Sequence, residues 1–255
     1  MPKVHDCILF FNEFDLLELR LKTLWDVVDK FVIVEAPWTF SGKVKPLYFK
    51  EFHYGFEKYL PKIHHIQLSG NLDVEIPWQR EWASRNVMVE ALKEADPDDW
   101  VFQSDTDEIW RPELRDEYPN DPIVTYEHLH CFYHLNTPRV PDHKWLGTRR
   151  CKVKDWPGGQ KLRDSVGRRI PNGGWHFSYL GDEYAASTKL QAFSHTEYSG
   201  PEYSDPTKIR EHMDEGTDLI TPLQAFYLPV PIDDTFPKPV LEDPIRWEKF
   251  VKKVA

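Results

Sequence analysis

Asp99-Trp100-Val101-Phe102-Gln103-Ser104-Asp105-Thr106-Asp107-Glu108-Ile109 is the stretch from which the fold can be read. Its first part, residues 99–104 (DWVFQS), is a short apolar run of the kind that forms a buried strand. The second part, SDTDEI, sets three carboxylates directly beyond it. In open α/β sheets, ligands bind in the crevice beyond the carboxyl ends of the strands. Alternate residues of an extended segment point the same way, so Asp105 and Asp107 either converge on one cation or form a solvated acidic turn. Two hard carboxylates suit Mg²⁺ or Mn²⁺, whereas zinc would select Cys and His.

Upstream of this stretch, strands and helices alternate. Residues 4–11 (VHDCILFF) read as a buried strand ending at Asn12-Glu13. The following helix carries Phe14, Leu17, Leu21, Leu24 and Val28 at spacings of three and four. Asp15 and Glu18 have the spacing of a capping box. Phe31 to Val34 is a second strand closed by Glu35, a Tyr/Phe-rich helix is expected near 52–60, and a third strand at 63–68. A longer helix begins at Pro77, since proline fits the first helical position. Trp78, Trp82, Arg85, Val89 and Leu92 mark one of its faces. This rhythm predicts an α/β fold with a mainly parallel central sheet flanked by helices.

Downstream, Ile123 to His134 and Trp145 to Lys154 read as strands, Arg168 to Gly174 as a Pro/Gly turn, Trp175 to Leu180 as a short strand and Asp182 to Phe193 as a helix. Residues 221–244 hold six prolines and predict an extended wrap ending in a short amphipathic helix. No repeat is present, and a single domain over 1–255 is the simplest organisation.

The chain has 255 residues, 40% hydrophobic and 29% charged, with a net charge of −10. These fractions exclude wholesale disorder, and the acidic total argues against a nucleic-acid binder. No apolar run reaches the roughly 20 residues of a membrane span. Asp6, Asn12, Glu13 and Asp15 interrupt what would otherwise be a leader, so a cytoplasmic protein is expected. Three cysteines without CxxC spacing speak against a disulfide scaffold or a thiolate zinc site. The charge is uneven. Residues 94–121 hold eleven carboxylates against Arg111 and Arg115, while residues 139–170 hold ten Lys/Arg against Asp142, Asp155 and Asp164. Such a pair of segments is either two solvated faces or a metal site beside an anion site. Ten Trp serve as core filler or as stacking faces for sugars and bases.

Several stretches together resemble glycosyltransferase family 17, the family of the bisecting β-1,4-N-acetylglucosaminyltransferases. They are Asn12 to Arg20 (NEFDLLELR), Asp26 to Asp29 (DVVD), Phe31 to Ala36 (FVIVEA), Lys45 to Phe49 (KPLYF), Asp98 to Ile109 and Gly174 to Ser178 (GWHFS). Their order and spacing carry the resemblance, which loosens after Lys189-Leu190. It implies a GT-A type fold, a UDP-sugar donor (N-acetylglucosamine as the sugar), a glycan acceptor, Mn²⁺ or Mg²⁺, and inversion at the anomeric carbon. Residues 1–110 would then be the nucleotide-sugar and metal half, 111–220 the acceptor-side half and 221–255 the wrap.

On this reading Asn12, Glu13 and Glu35 close the first two strands where a nucleotide would lie, able to accept from a uracil N–H or ribose hydroxyls. Capping of the first helix is the other role open to Asn12 and Glu13. Arg85 shares a buried-looking helix face, where its guanidinium needs a diphosphate or a carboxylate such as Asp105; Asn86 follows it. His176 is the expected third metal ligand beside Asp105 and Asp107, with His195 as a rival and a hydrogen-bonded core position as the plainer role. His128, His130 and His134 share strand parity and read as structural or acceptor-facing. The base that deprotonates the acceptor is sought in Asp155 and Asp164, with Asp182 and Glu183 just beyond His176. Leu146-Gly147-Thr148 resembles a loop on which the donor sugar rests. Of the cations Arg149, Arg150, Lys161, Arg163, Arg168 and Arg169, Arg163 is the choice for the departing UDP and the others read as surface charges. Two other classes remain open. One is a carbohydrate-binding protein without turnover, stacking on Trp38, Trp78 and Trp110. The other is a metal-dependent nucleotidyltransferase or phosphohydrolase, disfavoured because no P-loop or second dense carboxylate cluster is present.

Overall fold

The first strand, β1 (Val4–Leu9), is buried along its whole length in the computed structural model, which describes residues 2–70, 73–221 and 224–254. Its alternate residues feed two separate cores: Val4 and Ile8 face one, Cys7 and Leu9 the other. A strand buried on both faces belongs in the middle of a sheet. Parallel partners flank it, β2 (Lys30–Glu35) on one side and β4 (Trp100–Asp105) on the other, with β3 (Ile63–Gln67) outside β2.

Beyond β4 the sheet becomes mixed. Five further strands follow: β5 (Glu108–Trp110), β6 (Val124–Phe132), β7 (Arg139–Val140), β8 (Trp145–Lys152) and β9 (Arg168–Ser178). The eight-stranded order is β3-β2-β1-β4-β8-β6-β9-β5, and β7 pairs separately with β10 (Phe226–Tyr227). β4–β8, β6–β8 and β5–β9 are antiparallel, while β6–β9 is parallel. The α/β layout with a large central sheet agrees with expectation; the parallel character is strongest in its first half.

The helices are α1 (Phe14–Leu24), α2 (Tyr48–Phe52), α3 (Pro77–Asn86), α4 (Val89–Leu92), α5 (Gly159–Asp164), α6 (Glu183–Ala192), α7 (Pro201–Ser204), α8 (Pro206–Glu215), α9 (Lys238–Glu242) and α10 (Pro244–Trp247). Leu17, Leu21 and Leu24 of α1 pack in the first core together with Val240, Trp247 and Phe250 from the end of the chain. Met88, Ala91 and Leu92 cover the opposite face. A third cluster joins α6 and α8 to Phe132 and Tyr227. After the Pro-rich stretch the chain packs against α1, where Arg246 pairs with Asp15 and Glu18. Residues 222 and 223 of that stretch, and residue 255 at the end of the chain, lie outside the described residues.

Three local expectations are corrected. The Tyr/Phe-rich helix runs Tyr48–Phe52, earlier than 52–60, and continues only as 3₁₀ turns, one holding Pro61. Arg168 to Gly174 is not a turn but the first half of β9, whose Pro/Gly content serves an irregularity. Tyr126 pairs with Ile170, whereas His128 pairs with Gly174, so β9 takes two more residues than β6 across that interval. Asn172 lies there at φ 51°. Leu146-Gly147-Thr148 is not a loop but part of β8. A Cβ on Gly147 would stand 2.2 Å from Nδ1 of the buried His128, so the strand needs glycine for the two to approach.

Candidate active site

The acidic motif is a tight turn between β4 and β5, and its rigidity comes from below. Arg20 projects from α1 and is fully buried. It donates to both carboxylate oxygens of Asp6 at 2.7 Å, to Ser104 Oγ at 2.7 Å, and to the carbonyls of Glu108 at 2.7 Å and Asp105 at 3.2 Å. Thr106 Oγ1 donates to the Leu9 carbonyl at 2.6 Å, tying the turn to the end of β1. A guanidinium with so many fixed acceptors holds backbone as well as charge.

Above the turn, each of its three carboxylates meets a cation. Asp105 accepts from Arg85 at 3.0 Å and from Arg163 at 3.2 Å. Glu108 receives Arg163 as a two-pronged pair at 2.6 and 2.8 Å, and Trp145 Nε1 donates to it at 2.5 Å. Lys189 on α6 donates to Asp107 Oδ2 at 2.5 Å, and His176 Nε2 lies 3.5 Å from the same oxygen. Burial alone would raise all three carboxyls, but the cations outweigh it. Arg163 and Arg85 hold Asp105 below its ordinary value, Lys189 and His176 hold Asp107 well below, and Arg163 does the same for Glu108. Glu13 differs: burial, aided by Asp107, pushes its carboxyl up against the pull of Lys189.

These groups line a cleft of about 510 Å³ at the carboxyl ends of the strands. It gathers Glu13, Arg85, Asp105, Asp107, Arg163, Asp164 and His176 from the expected set. Five others lie outside its lining. Asn12 is exposed beside it. Glu35 is buried, accepting from Phe49 N, Lys45 Nζ and His65 Nε2. Asn86 Oδ1 accepts from Gln160 N at 3.0 Å and so serves the start of α5. Gly147 packs over His128, as described. Asp155 sits in a 3₁₀ turn after β8, at the end of β4 opposite the motif. Arg149 and Arg150, expected at the surface, are buried. Arg149 holds carbonyls at Leu146, Gly147 and Ser165, and Arg150 those of Arg115, Glu117 and Tyr118. Trp110 is likewise core, stacked on Phe102 at 3.9 Å. Arg85 makes the ion pair with Asp105 that was one of its two readings, while lining the cleft.

The residues fit a divalent cation through two of the three expected ligands. Asp107 and His176 offer a carboxylate oxygen and an imidazole nitrogen 3.5 Å apart, and His176 Nδ1 is buried with no partner among the described residues. Asp105 is turned to the two arginines instead. Among the described residues no three His, Cys, Asp or Glu side chains form one ligand group. Mg²⁺-like ions commonly take one or two protein ligands and complete their shell with phosphate oxygens and water.

Sequence reasoning missed four residues of this assembly: Arg20, Glu108, Lys189 and Trp145. Arg20 carried a signal, since it falls three after Leu17 and four before Leu24, on the apolar stripe of α1. Glu108 directly follows the motif but breaks its alternation. Lys189 comes from a helix 82 positions along the chain, and nothing local marks it.

The sequence profile of glycosyltransferase family 17 matches residues 1–228. Curated relatives include the β-1,4-mannosyl-glycoprotein 4-β-N-acetylglucosaminyltransferases of Rattus norvegicus and Homo sapiens. The first is 34% identical over 116 residues, covering 42% of this chain and 21% of the relative. The second is 35% identical over 107 residues, covering 38% and 20%. The matches thus span about a fifth of each relative's length. Two solved structures are similar at low identity. One is a glycosyltransferase involved in glycosylation of the major capsid of PBCV-1, with a TM-score of 0.31, 12% identity and coverage of 67% of this chain and 81% of that one. The other is the galactosyltransferase LgtC with donor and acceptor sugar analogues, with a TM-score of 0.37, 8% identity and coverage of 99% and 97%. No helix among the described residues is long and apolar enough to cross a membrane.

Proposed function

The chain belongs to glycosyltransferase family 17, and on that premise we propose that it transfers N-acetylglucosamine from UDP to a saccharide hydroxyl with inversion at the anomeric carbon. The observation that carries this reading is the convergence of Asp105, Asp107, His176, Arg85, Arg163 and Lys189 on one cleft at the strand ends. Opposed charges in such number suit a ligand that brings both a cation and a diphosphate.

Asp107 and His176 would hold Mn²⁺ or Mg²⁺, which supplies Lewis-acid neutralisation of charge on the leaving diphosphate. Arg85, Arg163 and Lys189 add fixed positive charge in the same cleft. They are already ordered by Asp105, Asp107 and Glu108, so little reorganisation accompanies the build-up of charge on UDP. Glu13, the residue before α1, contacts the nucleoside. Asp164 is the member of the expected base pair that lines the cleft. Its Oδ1 accepts from Gln160 Nε2 at 2.8 Å, and we assign it the acceptor proton.

Calorimetric titration with UDP, with and without Mn²⁺, tests the reading. Wild-type protein is expected to bind UDP more tightly with the metal, and Asp107→Ala to lose that increment while keeping a cooperative melt. UDP affinity that ignores Mn²⁺ in both proteins would refute it. Slow hydrolysis of UDP-N-acetylglucosamine by the wild type separates an enzyme from a binding protein that lacks turnover.

A further inference from the structure

Beside the cations, the cleft lining holds a cluster of rings. His130 and His176 are register partners on the parallel pair β6–β9, which stacks their imidazoles at 4.8 Å and 12°. Trp145, at the start of β8, lies 4.6 Å from His176 and 5.3 Å from His130. Its indole is fixed by the Nε1 bond to Glu108 and remains partly exposed to the cleft. Phe132 and Tyr227 back this group, stacked on each other at 4.1 Å. His130 is 8% exposed and lines the cleft, yet among the described residues neither of its ring nitrogens has a partner. Buried polar atoms are rarely left unpaired, so an unsatisfied imidazole in the wall of a cleft calls for a ligand group.

We propose that Trp145 and His130 form the subsite for the sugar ring of the nucleotide-sugar donor, an inference that rests on the donor reading above. An indole face receives the C–H face of a pyranose, and an imidazole nitrogen pairs with a hydroxyl or acetamido group. The position selects the sugar over the base. His176 touches both Asp107 and Trp145, so the platform adjoins the residues assigned to the diphosphate. The pyranose is bonded directly to that diphosphate, whereas uracil is separated from it by the ribose. Trp145 and Arg163 also meet on Glu108, so the sugar platform and a diphosphate cation share one anchor.

The test compares UDP with UDP-N-acetylglucosamine by calorimetry in the presence of Mn²⁺. His130→Phe keeps a ring but removes both nitrogens, and Trp145→Leu removes the stacking face. Both variants are expected to weaken UDP-N-acetylglucosamine binding at least tenfold more than they weaken UDP binding. Retained UDP affinity doubles as the control for folding. If both ligands weaken together, if neither weakens, or if only the acceptor KM rises, the donor-sugar assignment is overturned. A wild-type protein that binds neither nucleotide overturns the donor reading itself, and this subsite with it.

Discussion

Lys189 Nζ stands 2.5 Å from Asp107 Oδ2, so the acidic motif is neutralised by a side chain from α6, far along the sequence. The ammonium is held charged: burial would lower its pKa, but Asp107 and Glu13 outweigh that and raise it.

Lys189→Met is therefore expected to weaken UDP binding about tenfold in the presence of a chelator, where protein cations alone face the diphosphate; removal of one charge-assisted bond is worth roughly 1.5–3 kcal/mol. Calorimetry with EDTA checks this. Unchanged affinity would confine Lys189 to holding Asp107.

Arg20→Met should cost about 3–5 kcal/mol in urea denaturation, because it leaves Asp6 buried with Trp110 Nε1 as its remaining side-chain donor. Arg20→Lys is expected to recover only part, since an ammonium cannot make the two-pronged pair to Asp6 and still reach the carbonyls of the turn. Full recovery with lysine would show that charge alone matters.

Gly147→Ala must displace the His128 ring, which has no exposed surface into which to move. A loss of about 1–3 kcal/mol is expected, the usual cost of overpacking a core. The melting temperature reads it directly, and an unchanged value would mean that β8 shifts without strain.

His128 also sets a pH dependence. Burial, reinforced by the charges of His176, Arg20 and Arg163, lowers its pKa from 6.5 to about 3 despite Glu108, so the folded protein keeps it neutral. The unfolded chain takes up a proton below pH 6.5. Stability then falls as pH drops through 6.5 and keeps falling toward 3, by no more than about 1.4 kcal/mol per pH unit from this group. Denaturation midpoints measured from pH 7 to 4.5 should show a shallower slope in His128→Gln. An identical slope would assign the effect to other groups.

The N-terminal half was legible because its signals are local. Periodicity places α1, and Pro77 marks the start of α3 at its observed residue. The acidic motif was legible for the same reason, as it follows directly on an apolar strand. Arg85, Arg163 and His176 do reach the cleft, and the Arg85–Asp105 pair was one of the two roles read for Arg85, but the two-pronged pair of Arg163 with Glu108 joins α5 to β5 across 55 residues and nothing local marks it. Asp155 shows the limit most clearly. Its place between the motif and His176 in sequence says nothing of the end of the sheet at which it lies. Gly147 was misread because a glycine demanded by a neighbouring ring looks, in sequence, like a glycine demanded by a loop.

The unequal residue count between β6 and β9 has a consequence for how this chain can change over time. If the spacing before the irregularity continued, Phe132 rather than His130 would oppose His176. The imidazole pair at the cleft therefore depends on a segment around Pro171 and Asn172 that lies outside the cleft lining. Substitutions there are tolerable as long as the backbone path survives. Insertions and deletions are not, for losing two residues would re-pair the distal strand while every side chain of the cleft kept its identity. Selection on this segment should act on its length more strongly than on its letters.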